Sequence, residues 1–225
     1  MPKIGENIMP PFAYQNKSRT LVEKVILPFW SNIILATIAG FCLKDYYYEV
    51  TFRDIQHYAF VSYLLVIANS LSALLHFTND SSYCDLRILL DYAQQVMCFP
   101  MVLTDFLLKY NIAPASIAVI PSILSLLTVF LFVLLEYKRQ DLTDLNILIC
   151  LITYTITGME YNAYACIAAL FIGTAYFRFK RNEGVCIRKA SQYNLLMAGF
   201  VFFSLLSLDN GVSHNKMYKQ QIRGW

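Results

Sequence analysis

Seven apolar runs divide this chain and set what it can fold into: Val25 to Leu43, His57 to Phe77, Leu86 to Leu108, Pro114 to Leu135, Leu145 to Thr157, Tyr161 to Phe177 and Tyr193 to Leu208. A helix needs about 20 residues to cross the hydrocarbon core of a bilayer, and the first four runs approach or exceed that length. In hydrocarbon, backbone amides and carbonyls find no water, so spanning segments are helices or closed barrels. The runs lack the period-two alternation of barrel strands, which leaves helices. The expected fold is therefore all-α, a multi-pass transmembrane helix bundle with six or seven membrane-spanning helices. The fifth and sixth runs leave that number open. They are short, 13 and 17 residues, and only Gly158, Met159 and Glu160 lie between them. Two tilted crossings and a broken, partly re-entrant pair both fit this pattern.

Composition agrees with a membrane protein. Hydrophobic residues make up 57% of the chain and charged residues 15%, where soluble domains carry about 25% charge. A single helical membrane domain is expected over 25–208, after a short cytoplasmic segment (1–24) and before a polar tail (209–225). The first 24 residues mix basic and acidic side chains with three prolines, and no clear small-residue cleavage site follows. The first span is thus expected to remain as its own insertion signal. With a net charge of +3 and basic residues scattered at the ends of apolar runs, no continuous face is offered to nucleic acid. Four of the six cysteines, Cys42, Cys98, Cys150 and Cys166, fall in apolar runs without a CxxC pair and read as packing residues. If all seven runs cross, the side holding the N-terminus carries 12 of the 18 basic residues. That places the N-terminus, and the cluster Arg178, Lys180, Arg181, Arg188 and Lys189, in the cytoplasm.

Polar residues inside these runs are the candidate site. Ser72 and His76 are four apart and share one helix face, while Asp91, Gln94 and Gln95 form a second stripe near the start of the next span. The short loop between the two spans makes them antiparallel neighbours, which brings His76 and Asp91 to similar depth. An ionisable side chain there costs about 2.5–3.5 kcal/mol on insertion scales, so it is expected to face a partner, a cavity or an ion. Imidazole is a common metal ligand, and a serine and an aspartate suit a metal-bound water. Two readings stay open: a metal site, or His76 at headgroup level with Asp91 hydrogen-bonded through Gln94 or Ser72.

The start "KVILPFWSNIILATIAGF", the second span ending "SLSALLHF" and the following "DLRILLDYAQQ" resemble the CREST superfamily of membrane hydrolases, most closely its myomaker and transmembrane-protein-8 branch. The superfamily includes alkaline ceramidases and the progestin and adiponectin receptors, and the similarity covers roughly residues 24–109. It implies zinc held by histidines, with His76 as a ligand and Ser72 and Asp91 as the catalytic residues around the metal-bound water. Further on, Asp209 precedes His214 at a spacing similar to that before a late histidine ligand of the branch, which makes His214 the second candidate ligand. Where the superfamily has a further histidine four residues on, this chain has Tyr218, and no apolar span follows. The implied zinc site is incomplete, and two origins are weighed: a final helix lost by truncation or splicing, or His214 as an ordinary tail residue. Two functions follow from the resemblance. One is a membrane-remodelling or cell-fusion role in the plasma membrane or the endoplasmic reticulum and Golgi, with membrane lipids as partners. The other is a zinc-dependent lipid amide or ester hydrolase.

Other features have structural expectations. Pro100, Pro114 and Pro121 bend or begin helices. Asp105 and Lys109, at i and i+4, read as an interfacial pair, and the tyrosines 46–48 as residues of the bilayer interface.

Overall fold

The computed structural model describes residues 26–50, 57–78, 84–135, 140–180 and 187–209; side chains at 48–50, 76–78, 84, 180 and 187–190 fall outside that description. The helices are α1 (Leu27–Val50), α2 (Tyr58–Thr78), α3 (Cys84–Lys109), the single turn α4 (Ala115–Ala118), α5 (Ile120–Leu135), α6 (Gln140–Tyr161), α7 (Ala163–Thr174) and α8 (Ile187–Asp209). A π-helical segment, Ala175–Lys180, prolongs α7. The protein is an all-helical membrane bundle: five stretches, within α1, α2, α4–α5, α6 and α8, are long and apolar enough to cross a membrane, and α7 with its extension is a shorter apolar rod.

α1, α2, α3, α5, α6, α7 and α8 close a ring, each packed on the next and α8 back on α1, while α3 also touches α6 and α8. Asp85, Arg87 and Lys109 lie at the ends of α3, Asp91 is half-buried, and Asp105 is enclosed by protein at 2% exposure. α5 is the opposite case. Its buried positions are Ser122, Ser125 and Thr128, spaced three apart on one stripe, and the rest of its surface is largely exposed Leu, Ile, Val and Phe facing lipid. An aromatic core fills the middle, with Phe99 5.6 Å from Tyr154 and 5.8 Å from Phe200, ring to ring.

Loops are fixed by local chemistry. α3 ends on Asn111, whose φ of 51° is the left-handed conformation that asparagine tolerates. There the Asn111 and Ile112 amides donate back to the Leu108 and Leu107 carbonyls, closing the helix end. Between α6 and α7 the turn is Asn162 alone. Its side-chain oxygen accepts from the Tyr164 amide at 3.0 Å, while its Nδ2 donates to the Ser207 carbonyl at 3.1 Å.

Three expectations change. Gly158, Met159 and Glu160 do not separate one helix from another; they lie inside α6, which runs on to Tyr161. Gly158 serves instead as a contact point, because a Cβ there would sit 2.8 Å from Ala165 Cβ on α7. Tyr46 is packed inside the bundle at 4% exposure, while Tyr47 next to it is 55% exposed. Asp105 is not at the protein surface either, being 2% exposed. Its Oδ2 accepts from the Tyr46 hydroxyl and from the Ala59 amide, both at 2.6 Å.

Candidate functional site

The pairing of α2 with α3 sets the candidate site. Ser62 Oγ donates to the Cys98 carbonyl at 3.0 Å, and two turns further along α2 the Asn69 Nδ2 donates to Gln94 Oε1. Together with the Ala59–Asp105 contact at the other end, these bonds fix two antiparallel helices in one register. In that register the Ser72 level of α2 meets the first turns of α3, where Asp91 lies. The structure thus brings Ser72 and Asp91 to one end of one helix pair, as the sequence spacing implies. The His76 side chain and the whole of His214 lie outside the described residues.

Ser72 is 4% exposed, and its Oγ makes no hydrogen bond among the described residues. It therefore does not tie Asp91 to α2. Ser70 Oγ, on the same helix, is likewise buried and makes no hydrogen bond among the described residues. Two such hydroxyls near one end of the bundle are informative, since buried polar atoms nearly always find partners in protein or water.

Asp91 is half-buried and lies beside Tyr193 of α8, which also neighbours Gln94 and Tyr176. Tyr176, in the π segment, donates its hydroxyl to Asp144 Oδ1 of α6 at 2.6 Å and lies against Gln95. Tyr92 stacks at a tilt on Phe132 of α5 at 4.4 Å. Asn194, one residue beyond Tyr193, donates to Ser31 Oγ and Asn32 Oδ1 of α1 at 3.2 and 3.1 Å. This end of the bundle is therefore a layer of amides, phenols and two carboxylates drawn from α1, α2, α3, α6, the π segment and α8.

Sequence reasoning picks out Ser72, Asp91, Gln94 and Gln95 but misses Asn69, Asp144, Tyr176 and Tyr193. The available signal was depth: each lies towards this same end of its span. As phenols at run ends, the two tyrosines look like interface residues until the helices are assembled.

Among the described residues no three His, Cys, Asp or Glu side chains are placed to share a metal ion. Around Ser72 and Asp91 the described donor set is one carboxylate, amides and neutral phenols. A catalytic zinc takes about three ligands from His, Cys and carboxylate; of the implied set only Ser72 and Asp91 are described, and the His76 side chain and His214 are not. No family model, curated protein or solved structure matches the chain.

Proposed function

We propose that this protein is a non-catalytic multi-pass membrane protein of the myomaker-like kind, acting on membrane lipids in membrane remodelling or cell fusion at the plasma membrane or in the endoplasmic reticulum and Golgi. The observation that supports this reading is the layer of interhelical polar contacts at this end, where Asn69 bonds Gln94 and the Asp144 carboxylate accepts from Tyr176. The Asn69–Gln94 and Asp144–Tyr176 hydrogen bonds give this end a role in holding helices together. Interhelical hydrogen bonds of this kind contribute about 0.6 kcal/mol each on average.

The test is a content-mixing assay between cells expressing the full chain and labelled partner cells, run beside lipid-hydrolysis assays on the purified protein. Mixing above that of mock-transfected cells, without release of fatty acid from ceramide or phospholipid, is the expected result. Hydrolysis that depends on Ser72 would overturn it.

One observation favours the hydrolase as a second reading. Ser72 Oγ is buried and makes no hydrogen bond among the described residues, which leaves its hydroxyl free to orient a water. In that reading His76 and His214 would hold zinc, and Ser72 and Asp91 would orient the water.

A further inference from the structure

α7 does not stop as an α-helix. At the end of the bundle where α1 begins, it widens into the π-helical segment Ala175–Lys180, and that segment packs on α8. Arg178 and Lys180 close one pass, and Arg188 and Lys189 lie in the first turn of the next. Because the two rods are neighbours, the four residues come to adjoining helix ends at one membrane surface.

The stretch that joins α7 to α8 is one-sided in charge. From 178 to 189 the sequence has five basic residues and one acid, Glu183. Arg178 is exposed, with its guanidinium carbon 6.0 Å from the centre of the Phe179 ring. Phe177 and Phe179, half-buried on either side of it, suit the bilayer edge, from which a long basic side chain reaches the headgroups. Of the carboxylates at this end, Asp144 is drawn inward, accepting from Tyr176 at 2.6 Å, and Asp91 is half-buried, while Asp85 and Asp141, in the first turns of α3 and α6, are exposed. The first amides of α8 add the positive end of a helix dipole.

We propose that Arg178, Lys180, Arg188 and Lys189 form a docking surface for the phosphate-bearing headgroups of anionic phospholipids in the leaflet they abut. Basic residues at an anionic membrane surface each strengthen attraction about fivefold, over a range set by the Debye length. Four of them acting on one leaflet give an enrichment of roughly a hundredfold when their effects combine incompletely. The assignment concerns the outer rim of the helix ends and does not depend on whether the interior holds a metal.

The experiment uses the full chain, inserted in membranes that mix phosphatidylcholine with phosphatidylserine and phosphatidylinositol bisphosphate. After mild detergent extraction, native mass spectrometry identifies the retained lipids. Anionic lipids are expected at about tenfold or more over their share of the membrane, with retention falling as salt rises. Combining Arg178→Gln, Lys180→Gln, Arg188→Gln and Lys189→Gln should bring the ratio near one, while Arg178→Lys with Arg188→Lys should keep most of it. Neutralising a loop can disturb insertion, so the wild-type measurement stands by itself: no enrichment there overturns the proposal, as does enrichment that survives the fourfold neutralisation. Displacement of the lipids by soluble inositol bisphosphate at an equal headgroup concentration would assign the surface to a free polyphosphate and overturn the lipid assignment.

Discussion

The Tyr46 hydroxyl on α1 donates to Asp105 Oδ2 on α3 at 2.6 Å, and the same oxygen accepts the Ala59 amide at the start of α2. The first amides of a helix have no partner within it, and a carboxylate there meets both the missing acceptor and the positive end of the dipole. Asp105 therefore caps α2 from another helix, 46 residues away in sequence. Three helices are joined at one atom.

Asp105→Ala is expected to destabilise the bundle by about 2–3 kcal/mol, the range for hydrogen bonds to a charged group whose partners are left buried. Asp105→Asn keeps an acceptor oxygen and should lose less, and Tyr46→Phe, which removes one donor, about 1–2 kcal/mol. Thermal unfolding in detergent, followed by circular dichroism, ranks the three. An Asp105→Ala variant as stable as the wild type would show that the capping contact contributes nothing.

Glycine supplies a second prediction with its own control. At Gly158 an added Cβ would lie 2.8 Å from Ala165 Cβ and 3.1 Å from the Cys166 backbone nitrogen, atoms that move only if α7 moves. Gly158→Ala should lower stability by about 1–3 kcal/mol, the usual effect of overpacking. At Gly40 a Cβ meets nothing within 4 Å, so Gly40→Ala should be neutral or raise stability by up to about 1 kcal/mol through helix propensity. The melting temperatures of the two variants must move apart; equal shifts would contradict the close α6–α7 contact.

How much of this was legible beforehand follows from the range of the interactions. The helical class and most rods can be read because the membrane requirement is local: a long apolar run must hydrogen-bond to itself. The division of the fifth and sixth runs is misread because a glycine within an apolar run looks like a break, whereas in the bundle Gly158 lets α7 approach. α1 continues past its apolar run, through Lys44 and Asp45, to Val50, since Tyr46 has a partner in Asp105. Nothing near residue 46 announces that partner. At the candidate site, Ser72 and Asp91 stand out as polar residues in greasy surroundings, and their common helix pair follows from a short loop. Tyr193 is missed because its role depends on α8 returning beside α3, about a hundred residues after Asp91.

Topology gives a third prediction. The side expected to hold the N-terminus also receives 12 of the 18 basic residues, and lysine and arginine in short loops favour the cytoplasm. An epitope tag ahead of residue 1 should stain only after permeabilisation. An engineered glycosylation sequon in the same place should remain unmodified, because only lumenal or external segments meet the transferase. Glycan on that sequon would reverse the orientation and move the basic rim of Arg178, Lys180, Arg188 and Lys189 to the opposite leaflet.

Ser72 provides the sharpest separation of the two functional readings. Its Oγ is buried and unbonded among the described residues, and an unsatisfied buried hydroxyl costs about 1–3 kcal/mol. If the hydroxyl serves no ligand, Ser72→Ala removes that cost with little loss of volume. The variant should then melt at or above the wild-type temperature and retain full activity in the cell-mixing assay. If the hydroxyl instead holds a metal-bound water, the substitution strands that water in an apolar setting. Elemental analysis would in that case find near-stoichiometric zinc in the wild type, lost in a His76→Ala variant, and hydrolysis would fall at least about a hundredfold in Ser72→Ala, as expected when a group positioning the reacting water is removed. We expect the first outcome. A stable Ser72→Ala protein with unchanged cell mixing, beside a wild type without zinc, agrees with a polar layer that only holds helices together, whereas near-stoichiometric zinc in the wild type would favour the hydrolase.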